Sequence, residues 1–214
     1  MVLQTIKEGN SKMPKKIKIS MVIPCYTLDE KLAGMAVDAA ITYRDKVDEL
    51  IIVEDGGLYI PELRDLADMY VLYKDNAGFT KNVNRGWKLA SGDYVMIVNS
   101  DTKLLSGNLE DLCIPGKVTS PVIRNQNIPF LAGPFWCTPK KVAEERGLLM
   151  EDMHTYSSDS DYDHRVRDIF QKVSSVEIFH HMAQTVTKAG IEGGEQQAKD
   201  RKVYNDLREK GLAS

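Results

Sequence analysis

At 214 residues, 43% hydrophobic and 28% charged, the chain suits one globular domain with a self-sufficient core, which excludes a disordered or collagen-like protein. The net charge of −3 provides no overall basic field for nucleic acid or lipid, and the basic cluster in residues 12–18 reads as a solvated leader or a local surface contact. Three cysteines (Cys25, Cys113, Cys137) without metal-like spacing favour a reducing compartment over a disulfide framework; with no signal h-region and no run that reaches a membrane span, a cytoplasmic location without stable membrane insertion is expected.

Residues 1–16 are polar and read as a flexible leader. Ile17–Pro24 is a first strand, apolar toward its end and closed by proline. Leu28–Arg44 is predicted as a helix, with Leu32, Met35, Ala36, Ala39 and Ala40 at helical spacing. Leu50–Val53 is a second buried strand running into Glu54-Asp55-Gly56-Gly57. Pro61–Ala67 is a short helix opened by proline, and Tyr70–Tyr73 is a third strand. Asn76-Ala77-Gly78-Phe79 turns into a helix over Thr80–Ala90, and Tyr94–Val98 is the fourth strand. This β-α alternation implies a mostly parallel central sheet with helices on both faces.

After Asp101 the rhythm changes. Leu104–Pro115 reads as irregular, Val118–Val122 and Phe130–Thr138 as strands, and Lys140–Arg146 as a helix ending before Gly147. Asp159–Gln171 is a further helix and Val173–Phe179 a last strand. A polar helix, Glu195–Lys210, carries a thin apolar stripe of Ala198, Val203 and Leu207. The expected division is one domain over residues 17–190, with a nucleotide-binding half (17–103) and an acceptor half (104–190), followed by a helical tail over 191–214.

The chemistry is expected where strands end. In an open α/β sheet the ligand crevice lies at the carboxyl ends of the strands, and both Glu54-Asp55 and Asn99-Ser100-Asp101 fall there. A carboxylate so placed can hold a hard cation and the phosphates it bridges. Each run has a plainer reading as well: a tight turn for Glu54-Asp55-Gly56-Gly57, an Asx-turn or cap for Asn99-Ser100-Asp101, and a helix N-cap for Asp159. Asn76, Gly78, Asn82, Asn84 and Arg85 stand at a helix start, suited to phosphate or ribose or to ordinary capping. Either imidazole of His180-His181 could complete a metal shell begun by Asp101.

The segments VIPCYTLDE, IIVEDGG, NAGFTKNVNRGWKLASGDYVMIVNSD, and SDSDYDHR followed by VEIFHH resemble, in order and spacing, the landmarks of family-two glycosyltransferases of the GT-A fold, a Rossmann-like α/β architecture. The resemblance runs over residues 17–181. It implies that Pro24, Tyr26, Glu54 and Asp55 line the base and ribose of a sugar nucleotide, with Asn76, Gly78 and Asn84 flanking it. Asp101, beside Ser100, is implied as ligand to a divalent Mn or Mg ion, and His180 or His181 as the late ligand. Asp159 falls on the catalytic-base position, Asp161 and Arg165 match the following acid and arginine, and Trp136 of Gly133-Pro134-Phe135-Trp136 would stack on an acceptor sugar.

The sequence departs from the family pattern at Asn99, where a first carboxylate is usual, at Glu54 and Gly57, and at Ser158, where a glutamate usually precedes the base. The implied activity is an inverting, metal-assisted transfer from a nucleoside diphosphate sugar, a UDP-sugar being favoured, to an acceptor hydroxyl. The departures keep open a degenerate sugar-nucleotide-binding protein. A nucleotidyltransferase would need a glycine-rich basic loop after the first strand, and a dinucleotide oxidoreductase a G-x-G-x-x-G; neither is present. Acceptors left open are a saccharide, a lipid-linked glycan, a protein, or a modified DNA base of the kind used by compact transferases in phage genomes, which would act in the host cytoplasm.

Overall fold

The computed structural model describes residues 16–131, 133–182, 187–190 and 194–212; of the leader expected over residues 1–16, residues 1–15 lie outside them. The first half alternates as expected, with β1 (Ile19–Cys25), α1 (Glu30–Arg44), β2 (Glu49–Asp55), α2 (Pro61–Leu66), β3 (Met69–Tyr73), α3 (Phe79–Leu89) and β4 (Tyr94–Val98). The second half adds β5 (Thr102–Ser106), a short 3₁₀ turn (Leu109–Leu112), β6 (Val118–Ile123), β7 (Phe135–Pro139), α4 (Lys140–Arg146), α5 (Ser158–Val166), β8 (Phe170–His180) and α6 (Glu195–Glu209).

All eight strands form one sheet in the order β3-β2-β1-β4-β7-β6-β8-β5. The four strands of the first half are parallel, as right-handed β-α-β crossovers require, and β7 joins β4 antiparallel. Strand β4 is apolar at every position, and β1 and β2 are apolar through their middles, because both faces are covered. Met21, Ile23 and Ile52 point to a core under α1 and α2 with Tyr43 and Leu63, while Val22, Ile51, Val53 and Ile97 point to a second core under α3 and α5 with Trp87, Trp136 and Tyr162. Helix α3 crosses β1 closely at Gly86, where an added Cβ would collide with Val22.

Three elements differ from the sequence expectation, one of them only in extent: the strand expected over Phe130–Thr138 is β7, which begins at Phe135. Thr102–Ser106 is a strand, not irregular chain; it is an edge strand pairing with β8 alone, and its Leu104 and Leu105 are half-buried, so it lacks a buried strand's apolar signature. Helix α5 ends at Val166 instead of running to Gln171, because Phe170 and Gln171 pair with Val118 and Thr119 of β6. The helix signal and the strand signal overlap there, and the sheet wins.

Candidate functional site

A cleft opens over the carboxyl ends of β1, β2 and β4, lined by Pro24, Tyr26, Asp55, Asn76, Gly78, Ser100, Asp101, Asp159 and His180. These nine residues were each expected at a ligand, and the fold brings them together from six separate parts of the chain. Strand pairing explains the most distant junction. The turn after β4 presents Asp101, and β5 then pairs antiparallel with β8 so that Thr102 faces His180. The Asp101 carbonyl accepts a hydrogen bond from the His181 backbone N–H at 3.0 Å, which locks the two strand ends together. The turn itself is fixed by the Thr102 hydroxyl, which donates to the Asn99 carbonyl at 2.9 Å and accepts from the buried Tyr43 hydroxyl at 3.1 Å.

The Asp101 Oδ1 and His180 Nε2 atoms are 3.1 Å apart, and both side chains are nearly buried. One hard oxygen and one imidazole nitrogen suit Mn or Mg with further oxygen ligands. Among the described residues no cluster of three or more His, Cys, Asp or Glu could hold a metal alone, so an ion here would need oxygens from its ligand, as a diphosphate provides. The neighbouring Asn99 Oδ1 is buried and accepts no hydrogen bond, an acceptor left facing this region. The donor set therefore fits a divalent ion. Behind His180, Gln126 contacts Nδ1 at 2.9 Å and the Asn125 amide donates to the His180 carbonyl at 2.7 Å, so the ring is held from its far side and Nε2 is aimed at Asp101.

Asp159 lies in the first turn of α5, which starts after Ser157 in a left-handed conformation. Its carboxylate accepts from the Ser160 and Gly133 backbone N–H groups at 2.9 and 3.2 Å. Burial pushes its pKa up, the two N–H groups pull it down, and the net is above the ordinary carboxylate value. Asp55 is also raised by burial, against the N–H groups of Ala77 and Gly78 and the guanidinium of Arg85, which bonds it at 2.6 Å and stacks 3.6 Å over the Tyr73 ring. Asp55 thus shapes the Asn76–Gly78 turn as well as facing the cleft.

The remaining expected residues do not reach the cleft. Trp136 is 0% exposed in the second core, 6.4 Å centroid to centroid from Tyr162, so no sugar can stack on it; β7 is covered on both faces, and either direction of a side chain leads into core. Asp161, also 0% exposed, pairs with Arg165 at 2.7 Å, and Arg165 donates onward to the carbonyls of Arg146 and Leu148 past the end of α4. Neither lines the cleft. Glu54 is buried against Thr27, whose N–H and hydroxyl it accepts at 2.9 and 2.8 Å. Asn84 exchanges hydrogen bonds with both backbone groups of Leu149, a clamp between α3 and the following loop. His181 is exposed and packs edge-on against Phe179, which leaves His180 as the member of the pair in the cleft.

Sequence reasoning missed the wall formed by His154, Thr155 and Tyr156, together with Phe79, whereas Asn82, expected near phosphate or ribose, does line the cleft. The segment 147–157 has no periodicity; its only signal was a histidine and an aromatic residue shortly before the Asp159 motif.

Residues 20–113 match the family model described as Glycosyl transferase family 2. A curated relative, Glycosyltransferase GlyA of Streptococcus pneumoniae serotype 4, is 31% identical over 102 residues, which are 44% of this chain and 14% of that protein. Among solved structures the chain is similar to GalNAc-T7 with UDP, GalNAc and Mn²⁺ (TM-score 0.70, 10% identity, 90% of this chain and 48% of that one). It is also similar to glucosyl-3-phosphoglycerate synthase from Mycobacterium tuberculosis with Mn²⁺, UDP-glucose and phosphoglyceric acid (TM-score 0.60, 15% identity, 92% and 81%). A third is the mannosyltransferase from Pyrobaculum calidifontis with GDP-Man and Mn²⁺ (TM-score 0.59, 15% identity, 92% and 71%). The chain spans less than half the length of GalNAc-T7 and about a seventh of GlyA. At these identities the solved structures speak for the fold, and the family model speaks for the first half. Together they show a GT-A fold whose residues 20–113 are similar to glycosyl transferase family 2.

Proposed function

We propose that the chain transfers a sugar from a nucleoside diphosphate sugar to an acceptor hydroxyl with inversion, assisted by a divalent ion, Mn²⁺ or Mg²⁺. The observation that carries this reading is the single cleft shared by the Asp101–His180 pair and the isolated carboxylate of Asp159. Support also comes from the fold relatives solved with UDP, UDP-glucose or GDP-Man and Mn²⁺. In this reading residues 17–103 form the nucleotide half, 104–190 the acceptor half and 191–214 a helical tail. Tyr26 and Asp55 border the base and ribose, with Asn76 and Gly78 on the flank.

A metal held by Asp101 and His180 would offset negative charge developing on the departing diphosphate. Asp159 accepts the acceptor hydroxyl's proton as that oxygen attacks the anomeric carbon from the face opposite the diphosphate. The backbone N–H groups of Ser160 and Gly133 hold the carboxylate still while leaving it lone pairs for that proton. Three free, buried cysteines fit action in a reducing compartment such as the cytoplasm; among the described residues no helix is long and apolar enough to cross a membrane. A UDP-sugar is the favoured substrate, and a saccharide, lipid-linked glycan, protein or modified DNA base the acceptor.

The test is release of nucleoside diphosphate from a panel of sugar nucleotides, with and without Mn²⁺, by the wild type and Asp159→Asn. Loss of turnover by roughly 10²–10⁴ with UDP binding retained is the expected outcome, the range typical of removing a general base. Undiminished turnover in the variant would rule out Asp159 as base. Binding without turnover in the wild type would instead identify the sugar-nucleotide-binding reading.

A further inference from the structure

Helix α6 is polar, and among its residues only Asp200 is fully buried, at 2% exposure. A helix docked by its hydrophobic face would bury a stripe of apolar side chains; here Ala198 is exposed and Val203 and Leu207 are half-buried. The buried group is a carboxylate, and its partners are backbone N–H groups of the cleft wall. Asp200 Oδ1 accepts from His154 N–H at 3.0 Å, and Oδ2 accepts from Thr155 and Tyr156 N–H at 2.8 Å each. The Gln196 amide, one turn earlier on α6, also donates to Oδ1 at 2.9 Å. Burial works to raise the pKa of Asp200, but the three N–H groups and Gln196 outweigh it and hold the group ionised. Successive N–H groups converging on one anion form a stronger tie than neutral hydrogen bonds.

The three residues gripped in this way all line the cleft. Their other tie is to α3, where the Thr80 N–H donates to the His154 carbonyl at 3.1 Å and the Thr80 hydroxyl meets the Ser158 hydroxyl at 2.9 Å. The His154 ring lies over Gly78, so close that a Cβ there would overlap it. The wall is thus suspended between α3 and α6, with no regular structure of its own.

We propose that Asp200 is a positioning residue for sugar-nucleotide binding: it holds His154, Thr155 and Tyr156 as one wall of the cleft, so that the C-terminal helix completes the site. This rests on the reading of the cleft as the sugar-nucleotide site. Asp200 touches no reacting atom and acts through the wall alone. Its loss loosens the 154–156 segment while leaving Asp101, His180 and Asp159 in place, because those are fixed by strand pairing and by the start of α5.

The test uses the full chain and the near-isosteric Asp200→Asn variant, in which an NH₂ replaces one acceptor oxygen, with Asp200→Ala as the complete deletion. Amide hydrogen exchange at residues 154–156 should quicken by about tenfold or more in Asp200→Asn, with β1, β2 and β4 protected as before. Calorimetric titration with UDP and Mn²⁺ should show affinity weakened by about tenfold, and KM for a turned-over sugar nucleotide should rise while kcat at saturation stays within about threefold. A purely architectural role would instead speed exchange everywhere and lower the active fraction, hence kcat, with KM unchanged; that outcome overturns the proposal. So does a variant whose exchange and UDP affinity both equal the wild type's. If the wild type binds neither UDP nor GDP, the sugar-nucleotide reading fails, whereas the exchange measurement still decides separately whether Asp200 holds the wall. Should Asp200→Ala not fold, Asp200→Asn alone decides.

Discussion

Asp159 and Asp161 are two residues apart on one helix, and that spacing decides their separate fates. At 100° per residue they point to nearly opposite sides, so Asp159 faces the cleft while Asp161 is driven into the second core against Arg165. A motif read as letters assigns both to chemistry; the period of the helix lets only one arrive. The raised pKa of Asp159 gives a signed expectation. A base must be deprotonated to work, so activity falls as pH drops through a pKa lying above the ordinary carboxylate value of 3.8. The kcat/KM profile of the wild type should carry that acid limb, and the residual activity of Asp159→Asn should lack it. Trp136 illustrates the same limit of sequence reading in a strand. Its place in the strand shows that it alternates with Cys137 and shares a face with Thr138, but not that helices cover both faces. Trp136→Ala should therefore cost stability, about 3–5 kcal/mol as for other buried aromatic truncations, measured by urea unfolding. An acceptor KM that moved with no change in stability would contradict this.

At the scale of elements, the first half was legible because its strands are mostly apolar and its helices are marked by turn residues, so β4 matches its expected bounds and α2 and α3 fall within a residue of theirs. The second half was harder because its strands are short, edge-placed or half-buried. Its elements are joined by polar ties that sequence periodicity does not show. The Asp161–Arg165 pair is the clearest: one ion pair inside α5 extends through the Arg165 guanidinium to the carbonyls that follow α4. Removing the cation alone takes away the charge that the fully buried Asp161 faces at 2.7 Å. Arg165→Met should then destabilise by about 3–5 kcal/mol, the usual consequence of breaking a buried pair, whereas Asp161→Asn with Arg165→Met should recover part of that loss. Urea denaturation of the single and double variants measures both. Weakened Mn²⁺-dependent nucleotide binding without lost stability would indicate a direct ligand role for Arg165 instead.

Across the whole molecule, the metal pair is a product of sheet topology. Asp101 ends the parallel half and His180 ends the last strand of the sheet, and they meet only because β5 turns back beside β8. The sequence offered each residue as a ligand but could not say that they meet, since β5 carries no clear strand signal. The same arrangement separates binding from folding. Asp101 packs at the rim of the sheet, outside both hydrophobic cores, so Asp101→Ala should leave the melting temperature of the free protein nearly unchanged. What it should remove is the stabilisation by ligand. A ligand at 100 times its dissociation constant stabilises by about 2.7 kcal/mol, and a metal-bridged diphosphate binds through the ion as much as through the protein. UDP with Mn²⁺ should therefore raise the wild-type melting temperature by several degrees, a shift of the size that such a free energy gives in a chain of this length. UDP alone should raise it much less, and Asp101→Ala should show the small shift in both conditions. His180→Ala should behave alike if Nε2 is a ligand, since the Gln126 contact holds the ring but supplies nothing to the ion. A full Mn²⁺-dependent shift surviving in both variants would place the ion elsewhere in the cleft and detach the strand pairing from the chemistry.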